Sequence, residues 1–134
     1  MSFTQALLTM ALSVMGVAQA TSPREYTPEE LPQLVADFEL EHALFDAAGV
    51  PITSDVVDAV VRIRVSAPDS VTAAHDLVVY VDNRFVGSQA GATFPFVLLW
   101  NFKGLLEGPH SMMLVFTSHQ DKKGLVNLAL TVEH

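Results

Sequence analysis

Between Val56 and Val132, apolar residues recur at alternate positions, and short turn-forming clusters interrupt them at near-regular intervals. A period of two sends successive side chains to opposite faces of an extended strand, so a chain patterned this way folds into sheets. The segment Val56 to Val65 shows it clearly: Val61, Ile63 and Val65 face one way, and Arg62 and Arg64 the other. Val126, Leu128, Leu130 and Val132 form a second dry face within Leu125 to Val132.

The remaining segments fit the same scheme. Val35 to Phe45 reads as a first, looser strand, and Asp46 to Pro51 as a turn. Asp76 to Val81 is a strand that turns tightly through Asp82-Asn83-Arg84 into Phe85-Val86-Gly87. Ser88 to Thr93 reads as a loop and Phe94 to Phe102 as a strongly apolar strand. Gly104 to Pro109 is a turn, His110 to Ser118 a strand, and Gln120 to Gly124 a hairpin turn. About seven short strands result, with no amphipathic helix after Pro32, and the expected class is an all-β antiparallel sandwich over residues 35–134.

The first residues are of another kind. Met1 to Ala20 carries an apolar stretch from Ala6 to Val17, then Ala18-Gln19-Ala20, a small-x-small cleavage site. This is the grammar of a signal peptide, read as a leader helix, although its start has no Lys or Arg. The apolar run is short for a membrane span, which needs about 20 residues. The expected location is therefore periplasmic or extracellular, with no membrane insertion once the leader is cleaved. Residues 21–34 are rich in Pro and Glu and read as an exposed linker. Within it, Thr27 is placed to cap one helical turn that begins at Pro28 and stops at Pro32.

Composition narrows the function. The 134 residues carry a formal net charge of −8 and contain no cysteine. A polyanion such as nucleic acid or an anionic membrane is a poor partner for that charge. The absence of thiols excludes disulfides, thiolate metal sites and thiol catalysis. A disulfide-free exported chain points to a bacterial source.

Several motifs occur in a familiar order. Leu77-Val78-Val79-Tyr80-Val81-Asp82-Asn83-Arg84-Phe85-Val86-Gly87 resembles the Tyr-Val-Asp-Gly hairpin of bacterial immunoglobulin-like domains, with Asn83 in place of the usual Gly. Phe94-Pro95-Phe96 and Trp100-Asn101 resemble the aromatic strand that follows in that family. Leu105 to Leu114 resembles its Leu-x-x-Gly-x-His segment, with His110 at the His position, and Asp121-Lys122-Lys123-Gly124 supplies the last hairpin. The resemblance spans Val56 to Val132. It implies an immunoglobulin-like or fibronectin-III-like β-sandwich with a binding or spacer role, and no catalytic residues.

Candidate chemistry is sparse. The five histidines form no close-spaced pair, and His110 is expected to start a strand and hydrogen-bond a neighbouring loop. His110 with Met112 has the ligand types of a copper site, but Met113 points the opposite way on a strand. Asp55, Asp58 and Asp82-Asn83 are too scattered for a calcium loop. There is no nucleophile elbow. No enzyme, no cofactor and no metal site is therefore expected. The aromatics between Tyr80 and Phe102 suit either a core or a sugar platform.

The informative irregularity is that two strands are apolar on both faces. Pro95, Val97 and Leu99 oppose Phe96, Leu98 and Trp100; Met113, Val115 and Thr117 oppose Met112, Leu114 and Phe116. Such strands need cover on both sides, from this chain or from another protein. The expected partner surface comprises Phe94, Phe96, Val97, Leu99, Met113 and Val115. The leading reading is a non-catalytic exported accessory or scaffold domain that mediates protein–protein interaction. The alternative is a small ligand-binding module for carbohydrate or a metal ion.

Overall fold

The structure, a computed structural model, describes residues 23–134. The leader expected at 1–20 lies outside the described residues. Among the described residues, eight strands follow a 3-10 turn at Leu31–Gln33: β1 (Glu41–Asp46), β2 (Val56–Val57), β3 (Val60–Ser66), β4 (His75–Val81), β5 (Arg84–Ala92), β6 (Phe96–Asn101), β7 (Gly108–Thr117) and β8 (Lys123–Val132). They form two sheets, β1-β3-β6 and β2-β8-β7-β4-β5. Every pairing is antiparallel except that of β2 with β8. This is an immunoglobulin-like sandwich, in which the chain crosses repeatedly between a smaller and a larger sheet.

The core lies between the two inner faces, supplied by the alternation read in the sequence. Val61, Ile63 and Val65 of β3 meet Leu77 and Val79 of β4, Leu114 and Phe116 of β7, and Leu128 and Val132 of β8, all buried. A buried side chain of this kind contributes roughly 1.5–3 kcal/mol.

Several boundaries differ from the sequence reading: β6 is shorter than expected at both ends, β7 and β8 begin within the expected turns, and three larger differences have a visible cause. The first strand begins at Glu41 rather than Val35, because the Asp37 N–H donates to the Lys123 carbonyl at 2.7 Å and the Lys123 N–H to Asp37 Oδ2 at 2.8 Å. Those bonds tie the chain to the start of β8, and only the single bridge Phe38–Gly124 forms there. The expected strand Val56 to Val65 is two strands, because the chain changes sheet at Asp58-Ala59: Val57 pairs with Val132, whereas Val60 pairs with Asn101. The alternation runs through this step and hides it. The expected loop at Ser88 to Thr93 is mostly strand, since β5 continues to Ala92 opposite His75.

Residues 24–34 correct the picture of an exposed linker. They lie as a strap on the outer face of the five-stranded sheet. Tyr26 and Leu31 are 7% and 3% exposed, packed with Val78, Tyr80 and Val115 and flanked by Leu34, Met113 and Leu125. The Tyr26 N–H donates to the Tyr80 hydroxyl at 2.6 Å. Thr27 caps as expected: the Glu30 N–H donates to Thr27 Oγ1 at 3.2 Å, and the Thr27 N–H to Glu30 Oε1 at 2.8 Å. This reciprocal pair is a capping box. Its Thr27 N–H bond, together with the guanidinium of Arg24, holds the Glu30 carboxyl below its usual range. Pro32 does not stop the chain there: it lies near the start of the 3-10 turn Leu31–Gln33 that follows directly, where its missing N–H costs nothing.

A candidate partner-binding face

The two outer faces of the sandwich differ. On the larger sheet, Val78, Tyr80, Met113, Val115 and Leu125 form an apolar surface that the strap covers. Val115, expected at a partner surface, is fully buried there, and Met113 is half-buried at its margin. These two belong to the molecule's own packing.

Phe94 and Phe96 are drawn in the other direction. Their rings lie 5.0 and 5.8 Å from that of the buried Phe116. Phe94 also meets His75 edge-on at 5.3 Å and Phe38 at 6.4 Å. His75 is 3% exposed, and its Nδ1 lies 2.9 Å from the Ala73 carbonyl oxygen, within hydrogen-bond reach. The cluster closes one end of the sandwich. Tyr80, Trp100 and Phe102 are buried as well. The aromatics considered for a sugar platform are therefore largely core, and Phe85, at 42% exposed, lies edge-on to Tyr80.

Val97 and Leu99 remain in the open, at 51% and 48% exposed. They stand on β6, at one edge of the three-stranded sheet. The register continues them into two rows across its outer face, Val97–Arg64–Ala43 and Leu99–Arg62–Phe45. Neither arginine forms an ion pair among the described residues; Arg62 Nη2 donates to the Ala47 carbonyl at 3.2 Å. As the register partners of Val97 and Leu99, the arginines add two cationic side chains to the same outer face. Arg62, Arg64, Ala43 and Phe45 were not among the expected partner residues. The alternation of Arg62 and Arg64 with Val61, Ile63 and Val65 signalled their outward direction, but only the pairing with β6 places them beside Val97 and Leu99.

The β6 edge has a definite hydrogen-bonding phase. The Phe102 N–H donates to the Ala59 carbonyl at 3.2 Å, one step beyond the Val60–Asn101 pair. Bonded and non-bonded pairs alternate in an antiparallel ladder. Trp100 and Leu98 therefore bond to β3, while the backbone N–H and C=O of Val97 and Leu99 point off the open edge. Among the described residues no hydrogen bond reaches those groups.

His110 occupies a different place. Its Nδ1 lies 2.6 Å from Asp82 Oδ2, and its Nε2 2.7 Å from the Leu106 carbonyl. Asp82 also receives the Ser111 N–H at 2.9 Å. The ring clamps the β4–β5 turn, where Asp82 and Asn83 have φ of 53° and 67°, to the loop before β7. Positive φ at both positions is what a two-residue hairpin turn requires, and Asn83 tolerates it. The bond to Asp82 raises the His110 pKa above its ordinary value, and the Leu106 carbonyl adds to it. Partial burial pushes Asp82 up, but the bonds from His110 and Ser111 outweigh it and hold the carboxyl below the usual range. Burial pushes the Tyr80 phenol up. Both nitrogens of His110 are thus engaged, and Met112 points into the core at 2% exposed. Among the described residues no three His, Asp or Glu side chains converge as a metal site. An open cleft of about 480 Å³ lies beside β2, lined by Asp46, Ile52, Val57, Asp58, Glu133 and His134 among others.

No family model and no curated protein matches this sequence. In three dimensions the chain is similar to the fibronectin(III)-like modules of Clostridium thermocellum CbhA, with 20% identity, coverage of 61% of this chain and 91% of that one, and a TM-score of 0.44.

Proposed function

We propose that this chain is a non-catalytic accessory domain, exported by the leader at 1–20 to the periplasm or cell exterior, that holds another protein against the open face of its three-stranded sheet. The observation that carries the reading is the contrast between the two outer faces. Met113 and Val115 are covered by the chain's own strap, whereas Val97 and Leu99 stay half-exposed beside two arginines that form no ion pair among the described residues. Apolar residues at the centre of a patch with cationic neighbours are the usual makings of a protein interface.

The experiment is recovery of the C-terminally tagged chain from its own host, in parallel with Leu99→Asp and Arg64→Glu variants, and intact mass of the eluate. A companion in fixed ratio with the native chain, lost in both variants while their melting temperatures hold, supports the reading. A companion retained by both variants, or no companion at all, overturns it. The mass of the recovered chain reports whether Met1 to Ala20 has been removed.

A further inference from the structure

We infer that the open face takes its partner as an added β-strand along β6, and that the segment it takes alternates apolar with acidic residues; this rests on the docking reading above and specifies its occupant. Two independent features of β6 coincide. The residues whose side chains are exposed, Val97 and Leu99, are the ones whose backbone N–H and C=O groups have no partner among the described residues. An extended segment laid along that edge satisfies these groups without disturbing a bond to β3. Each of its outward residues then extends one of the two rows across the face.

The other sheet edges are less regular or shorter: β5, the free edge of the larger sheet, is interrupted by two register shifts against β4, which bend an edge away from flat pairing. On β1, the Ile52 N–H donates to the Leu44 carbonyl at 2.8 Å and the Asp46 N–H to the Val50 carbonyl at 2.9 Å, so the returning loop lies along that edge. The two-residue β2 is too short to template a strand. Natural edges are commonly blunted by a proline or an inward charge. Between Phe96 and Asn101 β6 has neither.

Charge selects the occupant. Arg64 and Arg62 lie one strand in from the edge, in register with Val97 and Leu99; Arg62 rests its guanidinium on the Ala47 carbonyl, and Arg64 has no hydrogen bond or ion pair among the described residues. The chain's net charge is −8, so these arginines form a local positive stripe on an acidic molecule. Asp or Glu at outward positions of an added strand would meet them; Lys or Arg would be repelled. A second copy of the same chain brings its own Arg62 and Arg64 into the same row and is disfavoured.

The test uses a displayed library of short linear peptides, panned against the full chain and counter-selected against the Leu99→Asp variant. The expected sequences alternate apolar and acidic residues and lose preference for acid in Arg62→Glu/Arg64→Glu. Methylating alternate backbone amides of a selected peptide should weaken it about tenfold or more, as should Val97→Pro, which removes one edge N–H. Methylation leaves the protein intact, so the test stands even where Val97→Pro folds poorly. Peptides that need Leu99 but ignore amide methylation would sink strand addition and leave face docking standing. Enrichment of basic peptides, or self-association through β6 in sedimentation, would also overturn the inference. So would a library without enrichment while a native companion is still captured.

Discussion

The imidazole of His110 is held between two acceptors, Asp82 Oδ2 at 2.6 Å and the Leu106 carbonyl at 2.7 Å. A neutral ring has one N–H and satisfies only one of them; the doubly protonated ring satisfies both. The geometry and the raised His110 pKa therefore agree on a charged clamp between the β4–β5 turn and the loop before β7.

Its pH dependence follows from the signs. His110 is raised when folded, so its contribution is complete below its unfolded value, about 6.5, and fades as pH climbs through the folded value. Asp82 is lowered, so its contribution is present above about 3.9 and fades as pH falls through the depressed folded value. Urea melts of the native chain should be most favourable between these limits relative to Asp82→Asn. His110→Ala should cost about 1–2 kcal/mol below pH 6, because Asp82 remains partly hydrated. A loss that is the same at pH 5 and pH 9 would contradict the clamp.

Gly124 faces the ring of Phe38. A Cβ there would lie 2.5 and 2.8 Å from two Phe38 ring atoms and 2.8 Å from Leu40 Cδ1. Phe38 is itself set against His75 and Phe94, so it has little room to swing aside. Gly124→Ala should destabilise the domain by about 1–3 kcal/mol. Phe38→Ala in the same chain should recover part of that loss. A double-mutant cycle in chemical denaturation measures the coupling.

The two outer faces should respond oppositely to truncation. Val115→Ala removes buried methyl groups beneath the strap and should cost about 2 kcal/mol. Leu99→Ala should change stability by about 0.5 kcal/mol or less. Tyr80→Phe, which deletes the acceptor of the Tyr26 N–H, should cost about 1 kcal/mol. Thermal and urea melts decide all three.

Amide hydrogen exchange should resolve the phase of β6 residue by residue. The Leu98 and Trp100 amides, bonded to β3, should be protected close to the global limit, while those of Val97 and Leu99 exchange fast. The reverse order would mean a register one residue away from the observed one.

Much of this fold is written in the alternation. The inner faces of β3 and β8 can be read directly because polar residues interrupt their other faces, as Arg62 and Arg64 or Asn127 and Thr131 show. The Thr27–Glu30 cap was legible in part: Thr27 at the head of a turn is a local signal, and its partner is three residues away. The cover over Val115 was not, because Tyr26 and Leu31 are more than eighty residues from it in sequence and sit among prolines and glutamates that by themselves suggest a linker. The same limit divided the expected partner residues. Phe94 turns inward onto Phe116, Val115 lies under the strap, and Val97 and Leu99 stay outside. All four are apolar members of apolar strands, and only the sheet pairings and the strap separate them. His110 was expected to bind a nearby loop, which it does at Leu106; its bond to Asp82 spans 28 residues and depended on β4 pairing with β7.

The strap also makes the molecule one-sided. A sandwich bare on both broad faces can stack front to back without limit, since each added copy presents a fresh surface for the next. Here the segment carrying Tyr26 and Leu31 closes one of the two faces. Under the docking proposed above, a partner on the remaining face therefore finds no matching apolar surface at Val78, Tyr80 and Val115 on which a further copy could stack.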